Sequence, residues 1–153
     1  VRRRLLQPLK DQLTQGVSPA RLALALALGA VVGVFPVLGV TTLACAAVAA
    51  GLRLNQPAIQ VANYVAYPLQ LLLFIPFFQA GAWLFGQPPV SFTLGQLQAE
   101  LAADLGGTMA RYVLHDLRAV AAWALVAAPA VGVLFVLLRG LLARVPLPTT
   151  STR

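Results

Sequence analysis

The chain has 153 residues, 59% of them hydrophobic and only 10% charged, with a net charge of +7 from eleven Lys and Arg against four acids. This length predicts one domain, and the apolar excess excludes an ordinary soluble protein and predicts an integral membrane protein, all α-helical and polytopic. Because the cations flank apolar runs, they are read as setting orientation in a bilayer and not as a nucleic-acid surface. Cys45 is the single cysteine and His115 the single histidine, so no internal disulfide, zinc site or other metal site is expected. Cys45 lies within an apolar run and reads as a small packing residue.

Residues 1–16 form a basic segment with Leu5, Leu9 and Leu13 on one helical face, a pattern suited to a helix lying on a membrane surface. Arg2, Arg3 and Arg4 ahead of an apolar run have the look of a signal peptide. That run begins only at Leu22 and is far too long for a signal-peptide core, so the membrane domain, 17–145, is expected to start here.

Between Arg21 and Arg53 lie 31 residues without a formal charge. A spanning helix needs about 20 apolar residues, so this run is too long for one ordinary crossing and too short for two. Ser18 supplies a capping hydroxyl and Pro19 fits the first turn. At the centre, Gly33-Val34-Phe35-Pro36-Val37-Leu38-Gly39 sets a proline between two glycines. Proline lacks an N–H and clashes with the preceding turn, and glycine tolerates positive φ, so a hinge or apex is expected at Gly33, Pro36 and Gly39. The segment 19–52 thus reads as a broken, re-entrant helical hairpin. Small residues recur at Ala25, Gly29 and Gly33, and again at Ala44, Ala47 and Gly51. The simplest expectation is that the two half-helices pack on each other through these stripes, with a homodimer interface as the rival.

Asn55 or Gln56 then caps a helix over 57–85, with Pro57 in its first turn and no charge along its length. Pro68 and Pro76 should kink it. Gln60, Asn63, Tyr64, Tyr67 and Gln70 crowd around Pro68 and form a polar intramembrane cluster that should face protein or trapped water. Trp83 and Phe85 suit the far interface. After a loop at Gln87-Pro88-Pro89, Thr93 and Gln96 match a capping box. Leu94, Leu97, Leu101, Leu105 and Met109 then predict an interfacial amphipathic helix over 94–115, weakened at Gly106-Gly107. Arg118 and Arg139 enclose 20 uncharged residues, which predicts a final transmembrane helix over 118–143, followed by a flexible tail, 146–153.

Counting cations fixes the expected threading. If 19–52 dips into the membrane and returns, nine cations share the cytoplasmic side with both termini, while Arg111 and Arg118 lie outside with three acids. A full crossing would split the cations seven to four, so the hairpin agrees better with the positive-inside bias.

The residues from Ser18-Pro19 through Gly33-Val34-Phe35-Pro36-Val37-Leu38-Gly39 and Thr41 or Thr42, then Leu52-Arg53-Leu54-Asn55-Gln56-Pro57-Ala58, and finally Pro68, Pro76 and Gly81, resemble the family of small bacterial inner-membrane proteins called domain of unknown function 2062. The resemblance covers roughly residues 16–86, with the last helix as a further candidate. Members often carry Asn before the proline that Pro68 matches, whereas Tyr67 stands here. The resemblance implies a bacterial inner-membrane protein and supplies no activity.

For chemistry, His115-Asp116 with Arg111 and Arg118 is the one cluster of ionisable groups, and it lacks a nucleophile or ligand set, so it reads as a juxtamembrane cap. No enzyme activity and no cofactor are expected. Broken helices in apolar surroundings are how transporters build midplane sites, which puts lipid or small anionic solute handling first. A structural or partner-binding subunit of a membrane complex is the alternative. The helix after the break should offer unpaired N–H groups and the hydroxyls of Thr41 and Thr42, making Gly39, Thr41 and Thr42 the candidate ligand-binding residues. The expected partners are membrane lipids, with a second copy or another membrane protein as further candidates, and not nucleic acid.

Overall fold

The computed structural model describes residues 18–89 and 93–144, so the basic segment 1–16 and the tail 146–153 expected above lie outside the described residues. Five helices account for the described elements: α1 (Pro19–Gly33), α2 (Thr41–Leu52), α3 (Gln56–Leu84), α4 (Leu94–Ala103) and α5 (Leu105–Arg144). Their starts follow local chemistry. The Ser18 hydroxyl accepts from the Arg21 N–H at 3.3 Å, and the Asn55 side chain accepts from the Ala58 N–H at 2.9 Å, with Pro19 and Pro57 each seated in the first turn. Thr93 precedes α4 but makes no side-chain capping bond, so the anticipated capping box does not close.

α1, α3 and α5 make the most extensive mutual contacts, and α2 packs mainly on α3. The core is built of small side chains. Ala23, Ala25, Ala27, Ala58, Ile59 and Ala119 are fully buried. Small residues let backbones approach, and in a chain whose outer surface is itself apolar that close approach supplies most of the attraction. A methyl group added at Gly29 would overlap the Ile59 carbonyl oxygen and lie 2.8 Å from the Ala62 Cβ. One at Gly33 would lie 3.0 Å from the Ala66 Cβ, and one at Gly81 would lie 2.6 Å from the Arg118 carbonyl carbon.

These contacts correct the expected pairing. Gly29 and Gly33 pack on α3, Ala25 belongs to a buried cluster with Cys45 and Ala49 of α2 as well as Ala58 and Ile59 of α3, and a side chain at Gly51 would meet nothing. Gly33 stands at the end of α1, where the break begins, and also serves packing, because the space it saves is needed by Asn63 and Ala66 of α3.

α3 and α5 are 29 and 40 residues long, and both are apolar enough to cross a membrane. At about 1.5 Å per residue they extend roughly 44 and 60 Å, against a hydrocarbon core of about 30 Å. α3 continues through Pro68 and Pro76, as α5 does through Pro129. α1 and α2, with 15 and 12 residues, reach only about 22 and 18 Å. Their outer ends meet: the Arg21 guanidinium donates to the carbonyls of Leu52 at 3.1 Å and Arg53 at 2.9 Å. Arg53, at φ 51°, ends α2 in the left-handed conformation, and Arg21 satisfies carbonyls released there.

The expected 94–115 helix divides at Asp104 and not at Gly106-Gly107. Asp104 is extended, its carboxylate accepts from the Gly107 N–H at 3.0 Å, and it thereby starts α5, into which residues 105–115 run without interruption. A side-chain acceptor for the first-turn N–H groups ends one helix and begins the next more decisively than two glycines weaken one.

Candidate functional site

The break between α1 and α2 is held from three sides. Pro36 is fully buried. The Gln70 amide of α3 donates to the Phe35 carbonyl at 2.8 Å, so a carbonyl that the break leaves without a helical partner is satisfied by a side chain. From α5, the Trp123 indole N–H donates to the Val31 carbonyl at 3.1 Å, and its ring meets the Phe35 ring edge-to-face with centroids 4.9 Å apart. Gly39, at φ +86°, turns the chain into α2.

α3 carries further amides toward α2. Gln56 donates to the Ala46 carbonyl and Gln60 to the Thr42 carbonyl, each at 3.0 Å. Asn63, only 3% exposed, reaches the Thr42 hydroxyl at 3.4 Å and the Gln60 side chain at 3.3 Å. Positions 56, 60, 63 and 70 fall near one face of a helix, so a single stripe of amides fastens α2 and the break to α3. The polar cluster therefore divides. Gln60, Asn63 and Gln70 bond to protein, whereas Tyr64 and Tyr67 are 61% and 51% exposed. The two tyrosines make no bond like those of the amides and line an open space instead. Both stand beside the start of α2, and a phenol needs only its hydroxyl, not its ring, in a polar place.

Beside the amide stripe is a cavity of about 320 Å³ lined by Gly39, Thr41, Thr42, Asn63, Tyr64 and Tyr67. All three candidate ligand-binding residues thus share one space with three of the five cluster residues. Thr41, in the first turn of α2, is only 6% exposed and stands on the cavity wall. Val40, at the start of α2, gives no side-chain cap, so the first N–H groups of α2 lack intrahelical acceptors at the cavity edge. Thr42 accepts from Asn63 and keeps its own O–H free to donate. Together the hydroxyls of Thr41, Thr42, Tyr64 and Tyr67 and the helix end form a set of neutral donors without a formal charge of either sign.

Gln70 is not in this lining. It sits 1% exposed on the Phe35 side of the break, and its Oε1 is buried without a partner among the described residues. Trp123 was not singled out by the sequence. Its one advance signal is an indole in the middle of an uncharged run, where an N–H must find an acceptor. The His115-Asp116 cluster stays apart from the break. Arg111 there bonds to the Thr108 hydroxyl at 3.1 Å and the Glu100 carboxylate at 3.4 Å. Among the described residues no group of His, Cys, Asp and Glu is placed to hold a metal ion.

The fold and the site define an all-helical protein with a broken helical pair and two helices apolar enough to cross a membrane. The chain belongs to the bacterial family described as "Uncharacterized protein conserved in bacteria", domain of unknown function 2062, which matches residues 2–150. The match extends well beyond the 16–86 stretch in which the resemblance is legible by eye. No curated protein and no solved structure matches the chain.

Proposed function

We propose that the protein is a multi-pass protein of the bacterial inner membrane that binds an anionic group, a lipid phosphate or the carboxylate or phosphate of a small solute, in the cavity at the start of α2, as part of handling or moving that molecule. The observation that carries this reading is the joint lining: Gly39, Thr41 and Thr42 at the uncapped start of α2 share one cavity with Asn63, Tyr64 and Tyr67, so four hydroxyls and the free helix N–H groups face one space. A half-helix N-terminus favours negative charge at the same place.

Purified protein should retain fewer anionic lipids in native mass spectrometry when Thr41→Val and Thr42→Val are combined, with neutral lipids unaffected. Phosphate or a small carboxylate competing off the bound species would identify a solute site. Equal retention of anionic lipid and of inorganic phosphate by both forms, at equal folding, would remove the cavity as a binding site.

In the topology that goes with this reading, α1 and α2 enter from the cytoplasmic side and return, α3 and α5 cross, α4 lies in the outer interface, and both termini are cytoplasmic. The Arg21 bonds to Leu52 and Arg53 support it, because they hold the two ends of the pair at one level. The positive-inside count supports it from the sequence. In a Cys45→Ala background, single cysteines at Ser18 and Asn55 should both resist an impermeant external thiol reagent, while one at Gly95 should react. Reaction at Asn55 but not Ser18 would mean a full crossing.

The amide stripe gives the structural-subunit reading its own support, since Gln56, Gln60 and Gln70 serve to fasten α2 and the break to α3. A stoichiometric protein partner that copurifies from native membranes, with no lipid or solute released by the threonine substitutions, would favour it.

A further inference from the structure

The two ends of the helical bundle differ in charge. Gly81 of α3 admits the Arg118–Ala119 backbone of α5, and Leu142 near the end of α5 packs against a buried cluster that holds Leu22 of α1 and Leu54 before α3. α3 and α5 therefore run antiparallel, and the last turns of α5 stand beside the start of α1 and the end of α2. Arg21, Arg53, Arg139 and Arg144 gather at this end. The acids among the described residues, Glu100, Asp104 and Asp116, are all at the other. From Asp116 to Arg139 is about 35 Å of helix, well beyond the screening length of roughly 8 Å at physiological ionic strength. No described acid balances the four arginines.

Helix ends do not supply the missing charge. α1 and α3 start at this end while α2 and α5 finish there, so two positive and two negative dipole ends cancel. Arg21 donates to the carbonyls of Leu52 and Arg53, which are neutral, and so keeps its charge. The surroundings say what kind of anion is met. Arg139 stands 20 uncharged residues beyond Arg118, about 30 Å of helix, which places it at the edge of a hydrocarbon core of that thickness. Val136, Leu137 and Leu141 around it are 67%, 57% and 59% exposed, so Arg139 extends from an apolar collar. Arg144 lies about 7.5 Å further along, within a headgroup layer that takes up roughly 5–8 Å on each side of a bilayer. A soluble polyanion would leave the collar in water, whereas a lipid covers it with its chains and offers its phosphate to the guanidinium forks. We propose that this end of the molecule is a binding surface for anionic phospholipid headgroups, with Arg53, Arg139 and Arg144 as the phosphate-binding side chains. The inference rests on the same placement in a bilayer as the function proposed above, and not on the polar cavity.

The test uses the purified, delipidated full chain carrying Thr41→Val and Thr42→Val, so that lipid held at the polar cavity does not contribute. In native mass spectrometry it should take up phosphatidylglycerol in preference to phosphatidylcholine, which carries the same phosphate but no net charge. Each of Arg53→Gln, Arg139→Gln and Arg144→Gln should weaken phosphatidylglycerol binding about fivefold, the factor one cation near an anionic surface supplies, and the three together should bring the two lipids close to parity. Lysine at the same three positions keeps the charge and should keep most of the preference. Arg118→Gln, at the opposite end, should change nothing. Equal uptake of the two lipids by the parent, an undiminished preference in the triple glutamine variant, a loss as complete in the triple lysine variant, or an equal loss in Arg118→Gln would each overturn the proposal, as would tighter binding of an oligonucleotide than of phosphatidylglycerol. Micelles impose no orientation, so this result stands apart from the thiol labelling that tests the threading.

Discussion

Replacing Gly29 with valine should unseat α1 from α3 and cost about 3 kcal/mol of stability, the upper end of what overpacking usually costs. The reason is what the new side chain meets. Even a Cβ would overlap the Ile59 carbonyl oxygen and stand 2.8 Å from the Ala62 Cβ. A flexible side chain could swing away, but a carbonyl held in the α3 ladder moves only if the whole helix moves. Both helices also meet α5, so their separation would loosen all three contacts. The control is Gly51→Val in α2, where nothing lies within 4 Å and the change should fall within about 0.5 kcal/mol of neutral. Reversible unfolding in mixed micelles measures both. Coincident transitions for the two variants would show that the α1–α3 contact contributes little.

Trp123→Ala should follow closely, at about 3 kcal/mol, the lower end for removing a large aromatic side chain because Trp123 is only part-buried. Three things go together: packing against α1 and α3, the edge-to-face contact with Phe35, and the hydrogen bond to Val31. Trp123→Phe keeps a ring but leaves the Val31 carbonyl without its donor, and should cost about 1 kcal/mol. The pair of values separates ring from hydrogen bond. Equal losses for both substitutions would mean the indole N–H carries the whole effect. A further consequence is local: cysteine at Leu38, beside Pro36, should label faster in the Trp123→Ala background, since α5 no longer grips the break.

The sequence by itself determined the features that a few neighbouring residues decide. Pro36 ends a helix because it has no N–H to give, and Gly39 turns the chain because only a residue without Cβ adopts φ +86° cheaply. Ser18 and Asn55 cap because their oxygens lie within reach of N–H groups three residues on. The uncharged runs of α3 and α5 follow from composition alone. Even the junction at Asp104 is local, but there the two signals compete, and the carboxylate bond to the Gly107 N–H outweighs the permissiveness of two glycines.

The tertiary structure alone decided which partners meet. A stripe such as Ala25-Gly29-Gly33 says that some backbone comes close, yet small residues carry no label for whose, and at Gly29 and Gly33 α3 took the place expected for α2. The polar cluster was legible as polar, but a side-chain amide is both donor and acceptor. Only the packing of the break and of α2 on α3 made Gln70 and Gln60 fasteners and left Tyr64 and Tyr67 beside Thr41 and Thr42. Trp123 lies 92 residues from the carbonyl it binds, and at that separation neither periodicity nor spacing carries information. Its partner is chosen by where α5 crosses, and that crossing is set by Gly81 admitting the Arg118–Ala119 backbone.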